Sequence, residues 1–264
     1  MLENKVVWVT GASSGIGEAL AYELNKLGAK LILSARRVKE LKRVSDNCIN
    51  KASPIHILPL DLVAHDTFEE KAQQALQLFG GIDILINNGG VACRMPASKT
   101  TLDIDKRVMN INYFGNIALT KTLLPHFTAK KAGHIVTVSS LTGHYGTQLR
   151  SSYAASKHAL HGFYESLRSE VWKDNIKVTI ACPGFVSTQI LKQTITTSEN
   201  NEQYMQANNP RISAQDCAKI MVNAIIKGKE EVFVFASFRE RASILIKHWF
   251  PSLFSYFIKR IDVG

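Results

Sequence analysis

The sequence predicts an α/β fold, a single Rossmann-type, doubly wound parallel sheet with helices on both faces. Short apolar runs rich in β-branched residues begin near residues 5, 30, 55, 82, 133, 176 and 230. Each run is continuous instead of alternating, which is typical of strands buried on both faces. Stretches with helical periodicity, such as GEALAYELNKLG with its terminal Gly stop signal, separate these runs. No Pro-, Gly- or Ser-rich linker interrupts the alternation, so we predict one domain over residues 1–236.

Two segments depart from this pattern. Residues 187–213 are polar and weakly periodic, which predicts a flap over a binding site. Residues 237–264 form an aromatic and basic extension, whose run HWFPSLFSYFI is shorter than the ~20 residues that a membrane span needs. Flanked by Lys247, Lys259 and Arg260, this run suits peripheral contact with an anionic membrane. It equally suits packing on the substrate pocket or on another subunit.

Composition restricts the classes of function. The chain has 264 residues, 45% of them hydrophobic and 20% charged, which are ordinary values for a globular protein. The net charge of +10 favours an anionic partner, such as a phosphorylated cofactor, an acidic lipid or a nucleic acid. Zinc-finger spacing and alternating basic and aromatic residues are both missing from the sequence, so we expect no nucleic-acid binding.

Cysteine and histidine spacing gives no sign of a metal site or of a disulfide framework. The four cysteines are Cys48, Cys93, Cys182 and Cys217, and they form no CxxC pair. Such a pattern predicts free thiols in a reducing compartment. The eight histidines show no HExxH spacing, so we predict no bound metal. A strand signal opens the sequence without a charged and then apolar leader, which predicts a cytoplasmic location, either free or peripheral to a membrane.

The run TGASSGIG joins the first predicted strand to the first predicted helix. Its glycines, Gly11, Gly15 and Gly17, allow close approach of backbone to a pyrophosphate. The start of the following helix presents free N–H groups and the positive end of the helix dipole. A glycine-rich turn in this position predicts a dinucleotide site.

The run SARR after the second strand bears on the choice of dinucleotide. A carboxylate here would bind the 2′-hydroxyl of NAD and repel the extra phosphate of NADP. Arg36 and Arg37 stand there instead, with Ser13 and Ser14 available from the glycine turn. Guanidinium groups suit a phosphate dianion, so we predict NADP(H). The alternative is a pair of solvated arginines in a loop.

The run YAASK places a phenol and an ammonium about one helical turn apart. Tyr153 and Lys157 would project from the same face of a helix. Both can simply extend along a surface helix. Alternatively, the ammonium lowers the pKa of the phenol toward the range that acid–base catalysis needs.

TGASSGIG and YAASK together resemble the classical short-chain dehydrogenase/reductase family, over residues 4–235. The runs DILINNGG, NYFG, IVTVSS and CPGFVST follow in the order that the family shows. A closer likeness is to a membrane-associated branch of that family, which includes the reductase of acyl- and alkyl-dihydroxyacetone phosphate. The family commonly pairs subunits through the helices that follow NYFG and carry YAASK, which implies a homodimer or homotetramer.

The resemblance implies a catalytic role for four residues. Tyr153 would be the general acid toward a carbonyl oxygen, and Lys157 would hold the nicotinamide ribose and keep the Tyr153 pKa low. Ser140 would hydrogen-bond the substrate oxygen. Asn112 would anchor a water that relays protons to Lys157.

The resemblance also implies a set of cofactor contacts. Asp61 would bind the adenine amino group, and Gly89 stands where the family usually has Ala. Pro183 and Gly184 would lie against the nicotinamide ring. The full implied set is Gly11, Ser13, Ser14, Gly15, Ile16, Gly17, Arg36, Arg37, Asp61, Leu62, Asn88, Gly89, Gly90, Tyr153, Lys157, Pro183, Gly184, Val186 and Thr188.

The resulting expectation is an NADPH-dependent oxidoreductase. It would reduce a ketone or aldehyde, or oxidise the alcohol, on a small hydrophobic molecule such as a lipid or a steroid-like compound. His144 and Tyr145, just after Ser140, are expected to touch the substrate together with Ser140 and Tyr153, whereas His161 is expected to line a helix face. The alternative is a catalytically quiet protein that binds the cofactor and acts as a redox sensor or an interaction module.

Overall fold

The computed structural model describes residues 2–188, 194–196 and 211–260. Its centre is a sheet of seven parallel strands, one at each apolar run. The strands are β1 Val6–Thr10, β2 Lys30–Ser34, β3 Ile55–Ile57, β4 Ile84–Asn87, β5 Gly133–Val138, β6 Ile176–Pro183 and β7 Glu231–Val234. They lie in the order β7-β6-β5-β4-β1-β2-β3, so the strand order reverses between β1 and β4. The predicted doubly wound parallel sheet is confirmed.

Helices cover both faces of the sheet, as predicted. The described helices are α1 Gly15–Lys26, α2 Val38–Asp46, α3 Phe68–Phe79, α4 Leu102–Met109, α5 Gly115–Lys130, α6 Ser151–Val171, α7 Ala214–Lys227, α8 Phe238–Trp249 and α9 Pro251–Ile258. Helices α1, α2 and α7 bury their apolar sides on one face, and α3, α5 and α6 do so on the other. The strands are therefore buried on both sides, which is why their sequences are continuously apolar.

Strand β1 shows how the two faces share one strand. Val7 and Val9 pack into the core beneath α1, whereas Trp8 between them packs into the opposite core. The Trp8 indole N–H donates to Ser34 Oγ at 2.8 Å, and that hydroxyl donates to the Leu58 carbonyl at 2.6 Å. The buried indole N–H of Trp8 and the hydroxyl of Ser34 are thus paired, so their burial carries little penalty.

Helices α4 and α5 are joined by a π-helical turn, Asn110–Phe114. Turns of this kind widen a helix by one residue and are frequent at functional sites. The turn here lies in the NYFG run and positions Asn112, which is completely buried.

The C-terminal extension forms α8 and α9, and Pro251 is the first residue of α9. Phe254 of α9 is buried and packs on Tyr145, with ring centroids 5.1 Å apart. Gln148 donates a hydrogen bond to the Lys259 carbonyl at 2.9 Å, which ties the end of α9 to the same loop. Among the described residues, none of the helices has the length and apolar content to cross a bilayer.

Most of the predicted flap lies outside the described residues. Within residues 187–213, the structure describes residues 187–188, 194–196 and 211–213. Ile195–Thr196 pairs with Cys93–Arg94, and Ile212–Ser213 pairs with Val186–Ser187. These pairings hold residues 195–196 and 212–213 close to the loops that follow β4 and β6.

Candidate active site

A cavity of about 870 Å³ opens at the carboxyl edge of the sheet, beside the point where the strand order reverses. Open α/β sheets bind their ligands at this position, because the loops that leave neighbouring strands diverge there. The predicted site residues that line it are Gly11, Ser13, Ser14, Gly15, Ile16, Arg36, Arg37, Asp61, Leu62, Asn88, Gly89, Gly90, Ser140, Tyr145, Tyr153, Lys157, Pro183, Gly184, Val186 and Thr188. Gly17, Asn112 and His144 are predicted site residues outside that lining.

The glycines of the turn after β1 leave little room for side chains at their positions. Gly11 and Gly15 have φ angles of +64° and +62°, in the left-handed region that favours glycine. A Cβ at Gly17 would lie 2.3 Å from the Gly11 carbonyl oxygen, so Gly17 supports the turn from behind and does not face the cavity. The first N–H groups of α1 therefore open directly onto the cavity, as an anionic diphosphate requires.

Arg37 is held over this turn by hydrogen bonds. Its guanidinium donates to Ser13 Oγ at 3.0 Å and to Ser14 Oγ at 2.9 Å. Arg36 lines the same side of the cavity and is exposed. The four side chains form a cationic and hydroxyl-bearing corner with no carboxylate in the SARR run, which is the chemistry that binds a phosphate monoester.

Asn88 connects the loops that follow β1 and β4. Its side-chain amide donates to the Thr10 carbonyl at 3.0 Å and to the Gly11 carbonyl at 3.3 Å. At Gly89, where the family usually has Ala, an added Cβ would lie 2.6 Å from Leu62 Cδ1. The Leu62 side chain therefore occupies the space that the methyl group of an alanine at position 89 would need.

Ser140, Tyr153 and Lys157 line one part of the cavity. Helix α6 carries Tyr153 and Lys157 on one face, and the Lys157 Nζ lies 5.6 Å from the centroid of the Tyr153 ring. Ser140 follows β5, and its hydroxyl accepts a hydrogen bond from the Thr142 N–H at 3.2 Å, which fixes the turn after the strand. The three side chains therefore reach the same end of the cavity from two different elements.

Lys157 is not a surface lysine. It is 5% exposed, and its ammonium donates to the Val138 carbonyl at 2.8 Å. Burial lowers its pKa to about 8, because removal from water disfavours the charged form. Of the two alternatives for the Tyr153–Lys157 pair, extension of the lysine along a surface helix is wrong.

Asn112 lies behind the cavity instead of lining it. Its Oδ1 accepts from the Val91 N–H at 2.8 Å, and its Nδ2 donates to the Val91 carbonyl at 3.0 Å. The same Nδ2 lies 3.0 Å from Ser156 Oγ, one residue before Lys157. The side chain therefore holds the loop after β4 against α6.

The loop after β6 is fixed by a residue that the sequence analysis missed. Glu240 of α8 is buried, and its carboxylate accepts hydrogen bonds from the backbone N–H groups of Phe185, at 2.8 Å, and of Ala236. A Cβ on Gly184 would lie 2.4 Å from that carboxylate. The run Ser237–Glu240 matches the spacing of a helix capping box, which is the signal that could have identified it.

The substrate end of the cavity draws on the C-terminal helices. Phe257 and Ile258 of α9 line the cavity, and Ser243 of α8 donates to the Tyr145 hydroxyl at 3.0 Å. Tyr145 lies in the lining as expected. His144 does not, because its ring turns the other way and its Nε2 lies 3.0 Å from Glu231 Oε1. His144 therefore lies outside the lining of the cavity in which a substrate would bind.

Comparison with known proteins agrees with this geometry. The family model described as "short chain dehydrogenase" matches residues 5–199. The chain belongs to the short-chain dehydrogenase family. "Dehydrogenase/reductase SDR family protein 7-like" of Anopheles gambiae is 42% identical to it, over 98% of this chain and 83% of the relative. "Dehydrogenase/reductase SDR family member 7" of Homo sapiens is 41% identical, over 88% of this chain and 70% of the relative.

Solved structures confirm the short-chain dehydrogenase fold. A short chain dehydrogenase/reductase from Burkholderia phymatum in complex with NAD superposes with a TM-score of 0.86 at 24% identity, covering 96% of this chain and 95% of that one. An alcohol dehydrogenase from Thermococcus sibiricus complexed with 5-hydroxy-NADP superposes with a TM-score of 0.76 at 21% identity, covering 88% and 96%. One neighbour holds NAD and the other an NADP derivative, so the fold is compatible with either nicotinamide cofactor.

Proposed function

We propose that this short-chain dehydrogenase uses NADP(H) to interconvert a carbonyl group and an alcohol on a small hydrophobic substrate. The observation that carries the proposal is the meeting of Ser140, Tyr153 and buried Lys157 at one end of a cavity whose other end is a glycine turn. A redox sensor or an interaction module would not need this combination of hydroxyl, phenol and ammonium groups.

The residues present fit a nicotinamide dinucleotide. The turn that contains Gly11 and Gly15 has no room for a Cβ without displacement of backbone or of Thr188, and its N–H groups open onto the cavity. The bound nicotinamide would supply or accept the hydride. Side chains of this protein would bind the substrate oxygen and transfer the proton.

Ser140 and Tyr153 would bind the substrate oxygen with their two hydroxyl groups. In the reductive direction, negative charge develops on this oxygen, and Tyr153 would donate its proton to it. Lys157, whose buried ammonium has a pKa of about 8, would favour the resulting phenolate electrostatically. Asn112 would hold the part of α6 that carries Lys157 in position through its contact with Ser156.

Replacement of Tyr153 by Phe tests the assignment. Loss of a general acid lowers kcat by about 10²–10⁴-fold, while NADPH affinity should change little. The assay is NADPH oxidation over a panel of ketones, lipid ketones and steroids. Tyr22→Phe is the matched control, since the Tyr22 hydroxyl is bonded to Glu18 on α1 and lies outside the cavity lining. A Tyr153→Phe protein that binds NADPH and keeps most of its turnover would refute the proposal.

The proposed preference for NADP(H) rests on the corner formed by Arg36, Arg37, Ser13 and Ser14. Two serine hydroxyls position Arg37 before any ligand arrives, so its guanidinium would be preorganised for the 2′-phosphate. A titration of the protein with NADPH and NADH should show much tighter binding of NADPH. Comparable affinities would remove the basis for this preference.

A hydrophobic substrate is favoured by the wall that Tyr145, Phe257 and Ile258 form at the far end of the cavity. This wall suits the apolar part of a lipid or a steroid-like molecule. Because α9 supplies two of the three residues, the C-terminal extension would take part in substrate binding, in agreement with the pocket-packing alternative for the tail.

We also propose that the outer side of α8 and α9 touches a membrane surface. Trp249, Phe250 and Tyr256 are 69%, 62% and 54% exposed, Lys247 of α8 is exposed as well, and the Arg260 guanidinium lies 3.7 Å from the centroid of the Tyr256 ring. Exposed aromatic residues with flanking cations are typical of peripheral segments on anionic bilayers. Anionic vesicles should sediment the protein, and Trp249→Ala should weaken this more than Trp172→Ala, which removes an equally exposed tryptophan elsewhere. Equal sedimentation with neutral vesicles, or equal effects of the two variants, would refute it.

For assembly, we propose a homodimer or homotetramer that pairs α5 and α6 of neighbouring subunits. Phe114, at the start of α5, is 45% exposed and offers an apolar contact there. Light scattering should give two or four times the monomer mass, and a monomer at micromolar concentration would refute the proposal.

A further inference from the structure

Four side chains with metal-binding atoms converge behind the catalytic end of the cavity. His144 follows the turn after β5, His161 lies on α6, Cys182 lies near the end of β6, and Glu231 begins β7. One ligand atom from each residue can be chosen so that all four lie within 4.8 Å of one another. The sequence spacing could not reveal this group, because four separate elements deliver its members.

Four of the spacings between the ligand atoms of this group are close to those of a tetrahedral site. The Cys182 Sγ lies 3.6 Å from His144 Nε2 and 3.5 Å from Glu231 Oε1. Glu231 Oε1 lies 3.0 Å from His144 Nε2 and 3.7 Å from His161 Nδ1. Zinc bonds of ~2.0–2.3 Å in a tetrahedron separate the ligand atoms by roughly 3.3–3.7 Å. Small adjustments of side chains would therefore complete the coordination without movement of the backbone.

The next layer of contacts fixes His161 in a suitable orientation. Its Nε2 lies 2.9 Å from Ser139 Oγ, and that hydroxyl donates to the Lys157 carbonyl at 3.3 Å. The hydroxyl therefore accepts a hydrogen bond from Nε2–H, which leaves the Nδ1 lone pair free to bind a metal. Gly143 makes room for the ring, since a Cβ there would lie 2.6 Å from Nε2.

The protonation of the group is compatible with metal binding. Burial and the neighbouring His144 lower the pKa of His161 to about 4, so its ring is neutral at pH 7. Burial opposes ionisation of Glu231, but the hydrogen bonds from His144 and Cys182 and the charge interactions with His144 and His161 together keep the Glu231 pKa below its ordinary value. Burial raises the pKa of the Cys182 thiol, so a metal ion would displace one proton from it.

We propose that His144, His161, Cys182 and Glu231 bind one Zn²⁺ ion. Thiolate, imidazole and carboxylate are the ligands that zinc takes in proteins, and four protein ligands without an open position are typical of a structural site. The ion would join α6, β6 and β7 directly behind Lys157 and Pro183. Its role is to fix the catalytic lysine and the loop after β6 against each other, and it takes no part in proton or hydride transfer.

Cobalt(II) is the probe, because a tetrahedral thiolate site gives it a charge-transfer band and visible ligand-field bands. The full chain is stripped with a chelator under reducing conditions and titrated with Co²⁺. We expect saturation at one equivalent, with both types of band, and their loss when Zn²⁺ is added. The same result is expected for Cys217→Ala, a control that removes another buried thiol. In Cys182→Ala the charge-transfer band should disappear.

A second variant guards against misfolding of Cys182→Ala. His144 is only partly buried, so His144→Ala should fold, as judged by circular dichroism and NADPH binding. Loss of a ligand should weaken Co²⁺ binding by at least about a hundredfold. One equivalent of Zn²⁺ should raise the melting temperature of the native chain and of Cys217→Ala but not of His144→Ala. Absence of stoichiometric binding in the native chain, or an unchanged spectrum in folded Cys182→Ala or His144→Ala, would overturn the proposal and leave the group as a hydrogen-bonded cluster.

Discussion

The cofactor end of the cavity is built mainly from backbone, whereas the substrate end is built from side chains that arrive from distant parts of the chain. At the cofactor end, a Cβ on Gly11 or Gly17 would collide with neighbouring backbone atoms. At the substrate end, Tyr145 contacts Ser243 and Phe254 of the C-terminal helices, and Phe257 lines the same cavity. Backbone atoms cannot move aside without a change of the fold, whereas side chains on partly exposed helices can change their conformation. The first end should therefore be intolerant of change, and the second adaptable to different substrates.

The largest effect is expected from an added methyl group at the cofactor end. In Gly17→Ala the new Cβ would lie 2.3 Å from the Gly11 carbonyl, and overpacking of this severity costs about 3 kcal/mol or more. NADPH affinity, measured by calorimetry, should fall more than about a hundredfold, or the chain should fail to fold. Gly162→Ala on α6 is the control, since nothing lies within 4 Å of its Cβ. Equal behaviour of the two variants would show that the glycine turn is not rigid.

Lys157 lies with Ser140 and Tyr153 at the catalytic end of the cavity, and its burial lowers the stability of the fold by a measurable amount. Its pKa of about 8 lies below the ordinary 10.5, so the native state holds this proton less tightly than the unfolded state does. The stability of the native chain should therefore rise as pH increases from about 8 to about 10.5, since over this range the unfolded state binds more protons. At pH 7, Lys157→Met should be more stable than the native chain by about 3 kcal/mol, and this gain should vanish above pH 10.5.

Chemical unfolding of the two proteins across this pH range, without cofactor, provides the measurement. Lys42→Met, which removes an exposed ammonium on α2, serves as the control and should show no such dependence. If Lys157→Met is less stable than the native chain at every pH, the buried ammonium stabilises the fold and its role in positioning is structural.

The sequence predicted one end of the cavity far better than the other, for the same physical reason. Gly11, Arg37 and Asn88 lie in short runs directly after strands, where backbone requirements leave a local pattern. Phe257 and the group around Cys182 depend on contacts between residues far apart in the chain, and no sequence spacing records such contacts. The expectation that His144 touches the substrate was based on its position just after Ser140 in the sequence. That position did not determine the direction of the His144 ring, which faces Glu231.

Arg37 should control cofactor preference and little else. Hydrogen bonds to a charged group contribute about 1.5–3 kcal/mol, so Arg37→Ala should weaken NADPH binding roughly 10–150-fold. NADH binding, which lacks the 2′-phosphate, should hardly change. Lys39→Ala removes a nearby exposed charge from α2 and should leave the ratio of the two affinities as it was. An equal loss for both cofactors would mean that Arg37 supports the glycine turn through Ser13 and Ser14 instead of selecting the phosphate.

The smallest effect is expected at the adaptable substrate end. Phe257 lines the cavity and is 46% exposed, so Phe257→Ala should remove about 1 kcal/mol of apolar contact with a hydrophobic substrate. KM should rise about fivefold, while kcat and NADPH affinity stay the same. Leu253→Ala is a matched control, because Leu253 lies on the same helix with the same exposed fraction but outside the cavity lining. If Phe257→Ala lowers kcat and cofactor affinity instead, α9 stabilises the catalytic end, and the two ends of the cavity are mechanically coupled.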